Sequence, residues 1–294
     1  MSTLTATDRF WCAMARWVDR PVLRLVANQR ALRMVFEMST RMGSALPRGA
    51  TVIRDRTDSL TITPQGVAKD APLIFYIHGG GFTIGSPRTH AALAGHLAAK
   101  AGLRAYLPRY RLAPEHAFPA ARDDVIARYE ALCAAGNPPV ALCGDSAGGC
   151  LALQLAQYIR DRGRSAPAAL GLIAPVGDLS DDPAQRSAIA PDEMLIPPEW
   201  AARILDAYLP GMDPADPAVS PLLGDLTGLP PALIQAGAEE ALASDAARLA
   251  EAMDHATVDL WPGLPHVWHI HAGRGPAANR ALAQMAAFLS EKAA

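Results

Sequence analysis

Short apolar runs alternate with helical segments along this chain, from about residue 50 to the C-terminus. The clearest run is Leu73–Ile77, in which every side chain is aliphatic or aromatic and none is charged. A continuous apolar run is typical of a parallel strand that helices cover on both faces. In a strand with one face in solvent, apolar and polar side chains alternate instead. Strand, helix and strand in alternation therefore predict an α/β fold with a doubly wound, mostly parallel sheet.

The alternation predicts about eight strands. Because the first two follow each other with no helix between them, we expect them to pair antiparallel at one edge of the sheet. The strands are predicted at residues 51–53, 60–62, 73–77, 104–107, 140–143, 170–173, 232–235 and 258–261. Helices are predicted at residues 88–101, 119–135, 147–162, 243–254 and 276–293.

Two segments depart from this alternation. Residues 178–220 contain seven prolines and one helix-like run, 199–208, which indicates an insertion after the sixth strand. The N-terminal segment is the other, and together they predict a helical cap over the sheet. The predicted organisation is N-terminal cap helices at 1–48, a first part of the core at 49–177, a cap insertion at 178–220 and the rest of the core at 221–294.

Basic and apolar side chains share the N-terminal segment. The first 50 residues hold eight arginines against three carboxylates, a net charge of +5. Apolar side chains recur there at helical spacing, namely Phe10, Trp11, Met14, Trp17, Val18, Leu23, Val26, Leu32, Val35 and Phe36. We expect a pair of amphipathic helices whose tryptophan face packs against the body of the protein. The alternative is a basic helix that lies on an anionic membrane surface.

The composition excludes several classes of protein. Half of the residues are hydrophobic and 19% are charged, which is typical of a folded globular enzyme. A net charge of −2 provides no basic field, so no nucleic-acid partner is expected. Neither a transmembrane run of ~20 apolar residues nor a secretory signal pattern is present. The four cysteines show no metal-ligand spacing and favour a reducing, cytoplasmic location.

The strongest local signal is the segment 144–149, which reads Gly-Asp-Ser-Ala-Gly-Gly. It follows a predicted strand and precedes a predicted helix, the context in which G-x-S-x-G is typical of a nucleophile elbow. The turn is sharp, so the residues two before and two after Ser146 must be small, and both are glycine. Ser146 is the predicted nucleophile, although the motif by itself also fits a glycine-rich turn without catalysis.

A second motif, His-Gly-Gly-Gly-Phe at residues 78–82, comes directly after the apolar run Leu73–Ile77. Consecutive glycines let a backbone approach a substrate closely and turn its N–H groups toward it. Such donors stabilise the negative oxygen of a tetrahedral transition state. We expect the N–H groups of Gly80, Gly81 and Ala147 to form an oxyanion hole, and an ordinary flexible turn is the alternative.

A serine hydroxyl needs a neighbouring base to remove its proton. Three histidines lie close together near the C-terminus, and His266 comes from the loop after the last predicted strand, within reach of Ser146. His266 is the predicted base, while His269 and His271 are expected to face the cap or solvent. No acidic or cysteine ligand accompanies them at a metal-binding spacing, so no metal and no other cofactor is expected.

The base in turn needs a carboxylate that holds its tautomer and stabilises the imidazolium. In sites of this type the chain order is serine, acid, histidine, so the acid should lie between Ser146 and His266. The loop after the seventh predicted strand offers three carboxylates, Glu239, Glu240 and Asp245. Spacing alone does not choose among them.

With these pieces in place, the chain resembles the hormone-sensitive-lipase family of esterases from about residue 72 onward. The resemblance rests on HGGGF at 78–82, YRLAPE at 110–115, Phe118-Pro119, GDSAGG at 144–149 and Pro265-His266-Val267. It implies the α/β-hydrolase fold with a helical cap made from the N-terminus and an insertion after the sixth strand. It also implies hydrolysis of small-molecule acyl esters of short to medium chain length, through a Ser-His-acid triad and an acyl-enzyme intermediate.

The resemblance also selects the acid. Members of the family generally carry an aspartate in a D-P-L-x-D context, and here the matching position is Glu240, followed by Ala241 instead of proline. Glutamate adds one methylene without changing the role of the carboxylate. We further expect Arg111 and Glu115 to form a charge-assisted pair that braces loops near the site. The resemblance is compatible with a homodimer through the last edge strand.

Other functions can use this scaffold. Lactone and amide hydrolysis use the same machinery, and the shape of the pocket decides between them. Some plant hormone receptors that resemble the family have lost the base and bind a ligand without catalysis. The presence of His266 favours an enzyme over a receptor of that kind.

Overall fold

The computed structural model describes residues 4–293, so residues 1–3 of the predicted N-terminal segment and Ala294 lie outside the described part. The strands are β1 (Thr51–Arg54), β2 (Leu60–Thr63), β3 (Leu73–Ile77), β4 (Arg104–Leu107), β5 (Ala141–Asp145), β6 (Ala169–Ile173), β7 (Ala232–Gly237) and β8 (Ala256–Trp261). They form one eight-stranded sheet in the order β1-β2-β4-β3-β5-β6-β7-β8.

The sheet is parallel except at one edge. β1 pairs antiparallel with β2, as predicted, and β2 pairs antiparallel with β4. The other neighbouring strands are parallel. The strand order reverses at β3, because β4 lies on one side of it and β5 on the other, and open α/β sheets bind ligands at such a reversal. The prediction of a mostly parallel, doubly wound sheet is confirmed.

Helices lie on both faces of this sheet. They are α1 (Ala6–Met14), α2 (Arg20–Leu25), α3 (Gln29–Gly43), α4 (Ala91–Ala101), α5 (Ala120–Ala134), α6 (Ala147–Asp161), α7 (Pro183–Ile189), α8 (Pro198–Tyr208), α9 (Ala243–Ala252) and α10 (Pro276–Ala293). A π-helical turn, Ala15–Asp19, joins α1 to α2. Within the described residues, no helix is long and apolar enough to cross a membrane.

Helix α7 is absent from the sequence-based prediction, although its N-terminus carries a recognisable signal. The side chain of Asp182 accepts hydrogen bonds from two backbone N–H groups of the first turn, and Pro183 occupies the first helical position. Both features favour a helix start. The helix has only seven residues, so it is too short to show an apolar period.

Side chains of the central strand β3 alternate between two apolar cores. Phe75 and Ile77 point into the larger core, which also holds apolar side chains from α5, α6 and α9. Ile74 and Tyr76 point into the second core, formed with α4 and α10. Every residue of β3 is buried. Its uninterrupted apolar sequence therefore follows from helices that pack on both faces.

The N-terminal helices bury only part of their apolar surface. Trp11 packs against the body of the protein, where its ring stacks on His271 with 4.0 Å between centroids. Trp17, by contrast, is 74% exposed. The expectation of a buried tryptophan face is correct for Trp11 and wrong for Trp17, because residues six positions apart lie on different faces of a helix with 3.6 residues per turn.

The expected pair of Arg111 with Glu115 is wrong. Arg111 binds Asp124 of α5 through two nitrogens, each at 2.8 Å from a carboxylate oxygen. Glu115 binds Arg33 of α3 through both of its oxygens. The segment 111–116 is not helical, so a spacing of four residues does not bring its side chains together. Glu115 instead ties the N-terminal helices to a loop beside the sheet.

Candidate active site

Ser146 lies on the sharp turn between β5 and α6. Its backbone has φ 52° and ψ −121°, a strained conformation that residues with a side chain rarely adopt. A Cβ on Gly148 would lie 2.1 Å from the carbonyl oxygen of Ile77, and one on Gly144 would lie 2.3 Å from that of Gly148. These contacts explain why the residues two before and two after the serine are glycine.

The loop 78–82 lies beside this turn, because β3 and β5 are parallel neighbours that end at the same edge of the sheet. Gly80 and Gly81 have positive φ values of 109° and 56°. A Cβ on Gly80 would lie 2.4 Å from the carbonyl oxygen of Ile84. Within the described residues, the N–H groups of Gly80, Gly81 and Ala147 donate to no protein acceptor. They remain available to an acceptor on a ligand.

Asp145, which sequence reasoning does not single out, joins the two motifs. Its buried carboxylate accepts hydrogen bonds from the Tyr76 hydroxyl at 2.9 Å and the Gly79 N–H at 3.1 Å, and lies 3.2 Å from Nε2 of His90. Burial opposes its charge, but His90 and the tyrosine hydroxyl hold the pKa of Asp145 below its usual value. A carboxylate at the end of an apolar strand is the available signal, because a buried charge needs partners.

His266 and Glu240 form a buried pair on the loops after β8 and β7. Nδ1 of His266 lies 3.3 Å from Oε1 of Glu240, whose other oxygen accepts the N–H of Gly237 at 3.2 Å. Burial by itself would lower the pKa of His266, but the carboxylates of Glu240 and Glu193 outweigh burial and raise that pKa above its usual value. Burial raises the pKa of Glu240. The carboxylate therefore favours the charged form of the imidazole.

The other two carboxylates on this stretch of chain have different partners. Glu239 accepts a backbone N–H from the loop that precedes His266. Asp245 forms an ion pair with Arg186 at 2.8 Å and lies on α9. Of the three carboxylates that spacing leaves open, only Glu240 contacts His266 within the part of the chain that the structure describes.

The two neighbouring histidines do not join this pair. His269 is fully buried, with Nε2 at 3.2 Å from Oε1 of Gln235, and burial lowers its pKa to about 3. The expectation that it faces the cap or solvent is wrong, because the short helix after His266 turns it toward the sheet. His271 stacks on Trp11 of α1. Among the described residues, no cluster of three or more potential ligands could hold a metal.

Glu193, between α7 and α8, is a second residue that sequence reasoning misses. It is 5% exposed, and its Oε2 accepts the N–H of Ala241, the residue after Glu240, at 2.7 Å. Its Oε1 accepts two N–H groups from its own loop. Arg20 of α2 donates to the backbone carbonyl of Glu193. The residue thus links the N-terminal helices and the segment between α7 and α8 to the loop after β7 that carries Glu239 and Glu240 (the acid loop), a long-range contact that no motif marks.

A cavity of about 350 Å³ lies between this site and the N-terminal helices. It is lined by Ser146, His266 and Gly80, and by apolar side chains that include Leu32, Val35, Phe36, Leu195 and Trp200. A volume of this size is typical of a small-ligand pocket. No hydrogen bond joins the Ser146 hydroxyl to His266 within residues 4–293, and in such sites that bond often tightens only in the substrate complex.

The fold and the order of these loops match a known family. A sequence model of the alpha/beta hydrolase fold family matches residues 74–270, which is most of the chain. The chain belongs to the α/β-hydrolase family. The crystal structure of an esterase from the bacterial hormone-sensitive lipase family matches this α/β-hydrolase with a TM-score of 0.91 and 32% identity, over 100% of both chains.

Relatives of this α/β-hydrolase carry hydrolase names. An acetyl-hydrolase of Streptomyces hygroscopicus is 41% identical over 75% of this chain and 76% of its own length. The carboxylesterase/phospholipase LipF of Mycobacterium tuberculosis is 31% identical over 86% of this chain and 72% of its own length. The resemblance to the hormone-sensitive-lipase family that the sequence motifs indicate is confirmed by these matches.

Proposed function

We propose that this α/β-hydrolase is a carboxylesterase that cleaves short- to medium-chain acyl esters. Ser146 is the nucleophile, His266 is the general base, and Glu240 orients His266 and stabilises its imidazolium. The proposal rests on one observation. Ser146 sits on a strained turn that faces the same cavity as the imidazole of the buried His266–Glu240 pair. Relatives named as esterases and acetyl-hydrolases support it.

The reaction proceeds through two acyl-transfer steps. His266 accepts the hydroxyl proton of Ser146 as the serine oxygen attacks the carbonyl carbon of the ester. The tetrahedral intermediate collapses when the imidazolium returns that proton to the leaving alcohol, which leaves the acyl group on Ser146. Water then attacks the acyl-enzyme with His266 again as base. The carboxylic acid leaves and the serine hydroxyl is restored.

The contact with Glu240 decides which nitrogen of His266 acts as the base. Nδ1 faces the carboxylate at 3.3 Å, so it carries the proton and Nε2 keeps its lone pair for the serine. When Nε2 takes the serine proton, the ring becomes an imidazolium beside a buried carboxylate. In a low-dielectric site this opposite charge stabilises the imidazolium more than it would in water.

The oxyanion is held by backbone N–H groups in this proposal. Gly80, Gly81 and Ala147 each offer an N–H with no acceptor within the described residues. Ala147 is also the first residue of α6, so the positive end of that helix dipole points at the developing charge. Preorganised donors of this kind stabilise the transition state without any cost of reorienting them during the reaction.

The acyl chain occupies the apolar part of the cavity, under a cap that we assign to residues 4–48 and 178–220. Side chains of both segments line the cavity, among them Val35 and Phe36 from the first and Leu195 and Trp200 from the second. Burial of each methylene of an acyl chain contributes about 0.8 kcal/mol. The apolar lining therefore favours esters with an apolar acyl chain over esters with a charged one.

Hydrolysis of a series of p-nitrophenyl esters from acetyl to palmitoyl tests the proposal. Ser146→Ala should lower kcat by at least ~10³-fold, because nucleophile and base act as a unit. Ser165→Ala, at an exposed serine outside the cavity, is the matched control and should retain activity. A lactone and an aryl amide assayed beside the esters rank the three substrate classes. Near-normal turnover by Ser146→Ala, or a fluorophosphonate label on another residue, would refute the assignment.

A further inference from the structure

One face of α3 is apolar and exposed. Met34, Met38 and Met42 follow each other at intervals of four residues, so they form a stripe along the helix. They are 61%, 58% and 72% exposed. Contiguous exposed apolar surface is typical of a region that binds a partner. Methionine side chains are flexible, which suits a partner whose surface is irregular.

A second group of exposed apolar side chains lies on the helices α1 and α2 and the π-helical turn between them. Phe10, Trp17 and Leu25 are each more than half exposed. Phe10 and Met42 also line the cavity that contains Ser146, so one member of each apolar group lies at the wall of this cavity. The cap face is defined here as Phe10, Trp17, Leu25, Met34, Met38 and Met42, together with the arginines Arg30 and Arg41.

The two arginines flank the methionine stripe. Arg30 lies four residues before Met34, and Arg41 lies three residues after Met38, so both share that side of α3. Both are exposed, and neither forms a salt bridge within residues 4–293, whereas Arg24 and Arg33 are paired with glutamates. Arg30 and Arg41 are therefore available to an external anion.

Positive charge is concentrated in the N-terminal segment that carries the cap face. The first 50 residues carry a net charge of +5, while the rest of the chain holds 19 basic and 26 acidic side chains, a net charge of −7. The N-terminal segment, whose side chains line part of the cavity, is therefore positive, whereas the rest of the chain is negative. The field of this charge distribution turns the cap face toward an anionic surface and the remaining body away from it.

Charge also decides between the two obvious partners for the cap face. A second copy of this chain would bring the same basic surface, so a face-to-face pair would oppose like charges. An anionic lipid bilayer offers complementary charge at its surface. It also offers an apolar region within reach of tryptophan, leucine and methionine side chains.

We propose that the cap face docks on membranes that contain anionic phospholipids. The apolar side chains enter the headgroup region, and Arg30 and Arg41 bind lipid phosphates. In this orientation the mouth of the cavity faces the bilayer, so an acyl ester can pass into it without crossing water. Docking is independent of the chemistry proposed at Ser146, and the Ser146→Ala variant should bind vesicles as the wild type does.

Sedimentation with vesicles tests the proposal on the full chain. Vesicles of phosphatidylcholine mixed with phosphatidylglycerol should bind the protein at least ~10-fold more tightly than phosphatidylcholine alone. This preference should shrink as salt is raised, because salt screens exposed charges. Equal affinity for both kinds of vesicle, or no binding to either, would overturn the proposal.

Two double variants separate the charge of the cap face from its apolar surface. Arg30→Glu with Arg41→Glu should weaken binding to the mixed vesicles at least ~10-fold. Trp17→Ser with Met38→Ser should weaken it by a similar factor, because large apolar side chains no longer enter the headgroup region. None of these four residues lines the cavity, so hydrolysis of a water-soluble ester should stay near normal and report that both variants are folded.

Matched variants outside the cap face provide the controls. Arg56→Glu with Lys69→Glu makes the same change of net charge, and Ile53→Ser with Leu260→Ser removes exposed apolar side chains from two strands. Both controls should bind vesicles within ~3-fold of the wild type. Equal losses in cap-face and control variants would overturn the proposal. A dimer in gel filtration that only the cap-face variants dissociate would assign the surface to a second copy instead.

Discussion

His90 and Asp145 form a buried pair that closely matches the pair of His266 and Glu240. The nitrogen–oxygen distances are 3.2 Å and 3.3 Å, and all four side chains are almost fully buried. His90 and His266 both line the cavity that contains Ser146. Distance and burial therefore do not distinguish the histidine that braces the structure from the one proposed to transfer a proton.

The second ring nitrogen distinguishes the two histidines. In His90 both nitrogens have partners, since Nδ1 lies 2.8 Å from the hydroxyl oxygen of Thr89 and Nε2 binds Asp145. In His266, Nδ1 binds Glu240, and Nε2 has no hydrogen-bond partner within the described residues. A base must keep one lone pair free for the proton that it removes. Only His266 meets this requirement.

The two carboxylates also differ in how well their charge is compensated. Asp145 accepts hydrogen bonds from a hydroxyl and a backbone N–H in addition to its contact with His90, and its pKa is lowered against the effect of burial. Glu240 has fewer partners, and burial raises its pKa. A carboxylate with many donors is a stable brace. One with few donors gains more when the adjacent imidazole becomes charged.

The same substitution in both histidines should give the largest difference in kcat between them. His266→Phe should lower kcat by at least ~10³-fold with little change in Tm, because the proposed base is lost. His90→Phe should lower kcat less than ~10-fold but lower Tm by several degrees, since leaving a buried acceptor of Asp145 unpaired costs about 1–3 kcal/mol. Turnover of a p-nitrophenyl ester and thermal unfolding give both quantities.

A large loss of kcat in a fully folded His90→Phe variant would contradict this division of roles. It would mean that the His90–Asp145 pair contributes to catalysis, either through proton transfer or through the position of the loop 78–82. The Asp145 carboxylate binds the N–H of Gly79 at the start of that loop. The pH profile of kcat/KM separates the two causes, because a change in proton transfer alters its acid limb, whereas displacement of the proposed oxyanion donors Gly80 and Gly81 lowers kcat at every pH.

A pair of carboxylate variants gives the next largest effect. Glu240→Gln should lower kcat by about 10²- to 10⁴-fold, because the amide neither fixes the tautomer of His266 nor stabilises its imidazolium. Glu239→Gln, one residue earlier, should lower kcat less than ~3-fold, since Glu239 binds a backbone N–H and not the imidazole. Steady-state kinetics of both variants on one ester measure the two losses of kcat. A larger loss in Glu239→Gln than in Glu240→Gln would assign the role of the acid to Glu239 instead.

The sequence predicts the parts of this site that local geometry imposes. The glycines around Ser146 and the loop 78–82 are required by contacts of 2.1–2.4 Å that any side chain would make, so they can be recognised from spacing alone. The apolar strands β3 and β5 can be recognised as well, because both are buried on two faces. Their adjacency then brings both loops to one edge of the sheet.

Contacts between distant segments could not be predicted in this way. Arg111 and Glu115 share a motif, yet each has a partner on a different helix. Glu193 reaches the acid loop from an insertion 48 residues away in sequence. Such pairs depend on how segments that are distant in sequence pack together in the fold, and neither periodicity nor motif spacing carries that information. For the same reason, spacing alone could not choose among the three candidate carboxylates, of which the structure brings one, Glu240, into contact with His266.

The raised pKa of His266 predicts a smaller effect, which appears in the pH profile. His266 must be neutral to act as base, and its pKa is raised above the 6.5 of a free imidazole. Activity should therefore fall as the pH drops through that raised value, with half of kcat/KM lost above pH 6.5 and full activity at more alkaline pH. An acid limb centred below pH 6.5 would show that burial, not the carboxylates, dominates the environment of His266.

Glu193→Gln tests the origin of that raised pKa. The substitution removes a negative charge that favours the imidazolium of His266, so the acid limb should move to lower pH. Glu239→Gln is the matched control, because it also removes a charge and a backbone contact but should leave the limb in place. A limb that shifts equally in both variants, or that stays fixed in Glu193→Gln, would show that Glu240 alone sets the proton affinity of His266. Glu193 would then act on the acid loop only through its hydrogen bond to Ala241, and its loss should appear in Tm instead of in the pH profile.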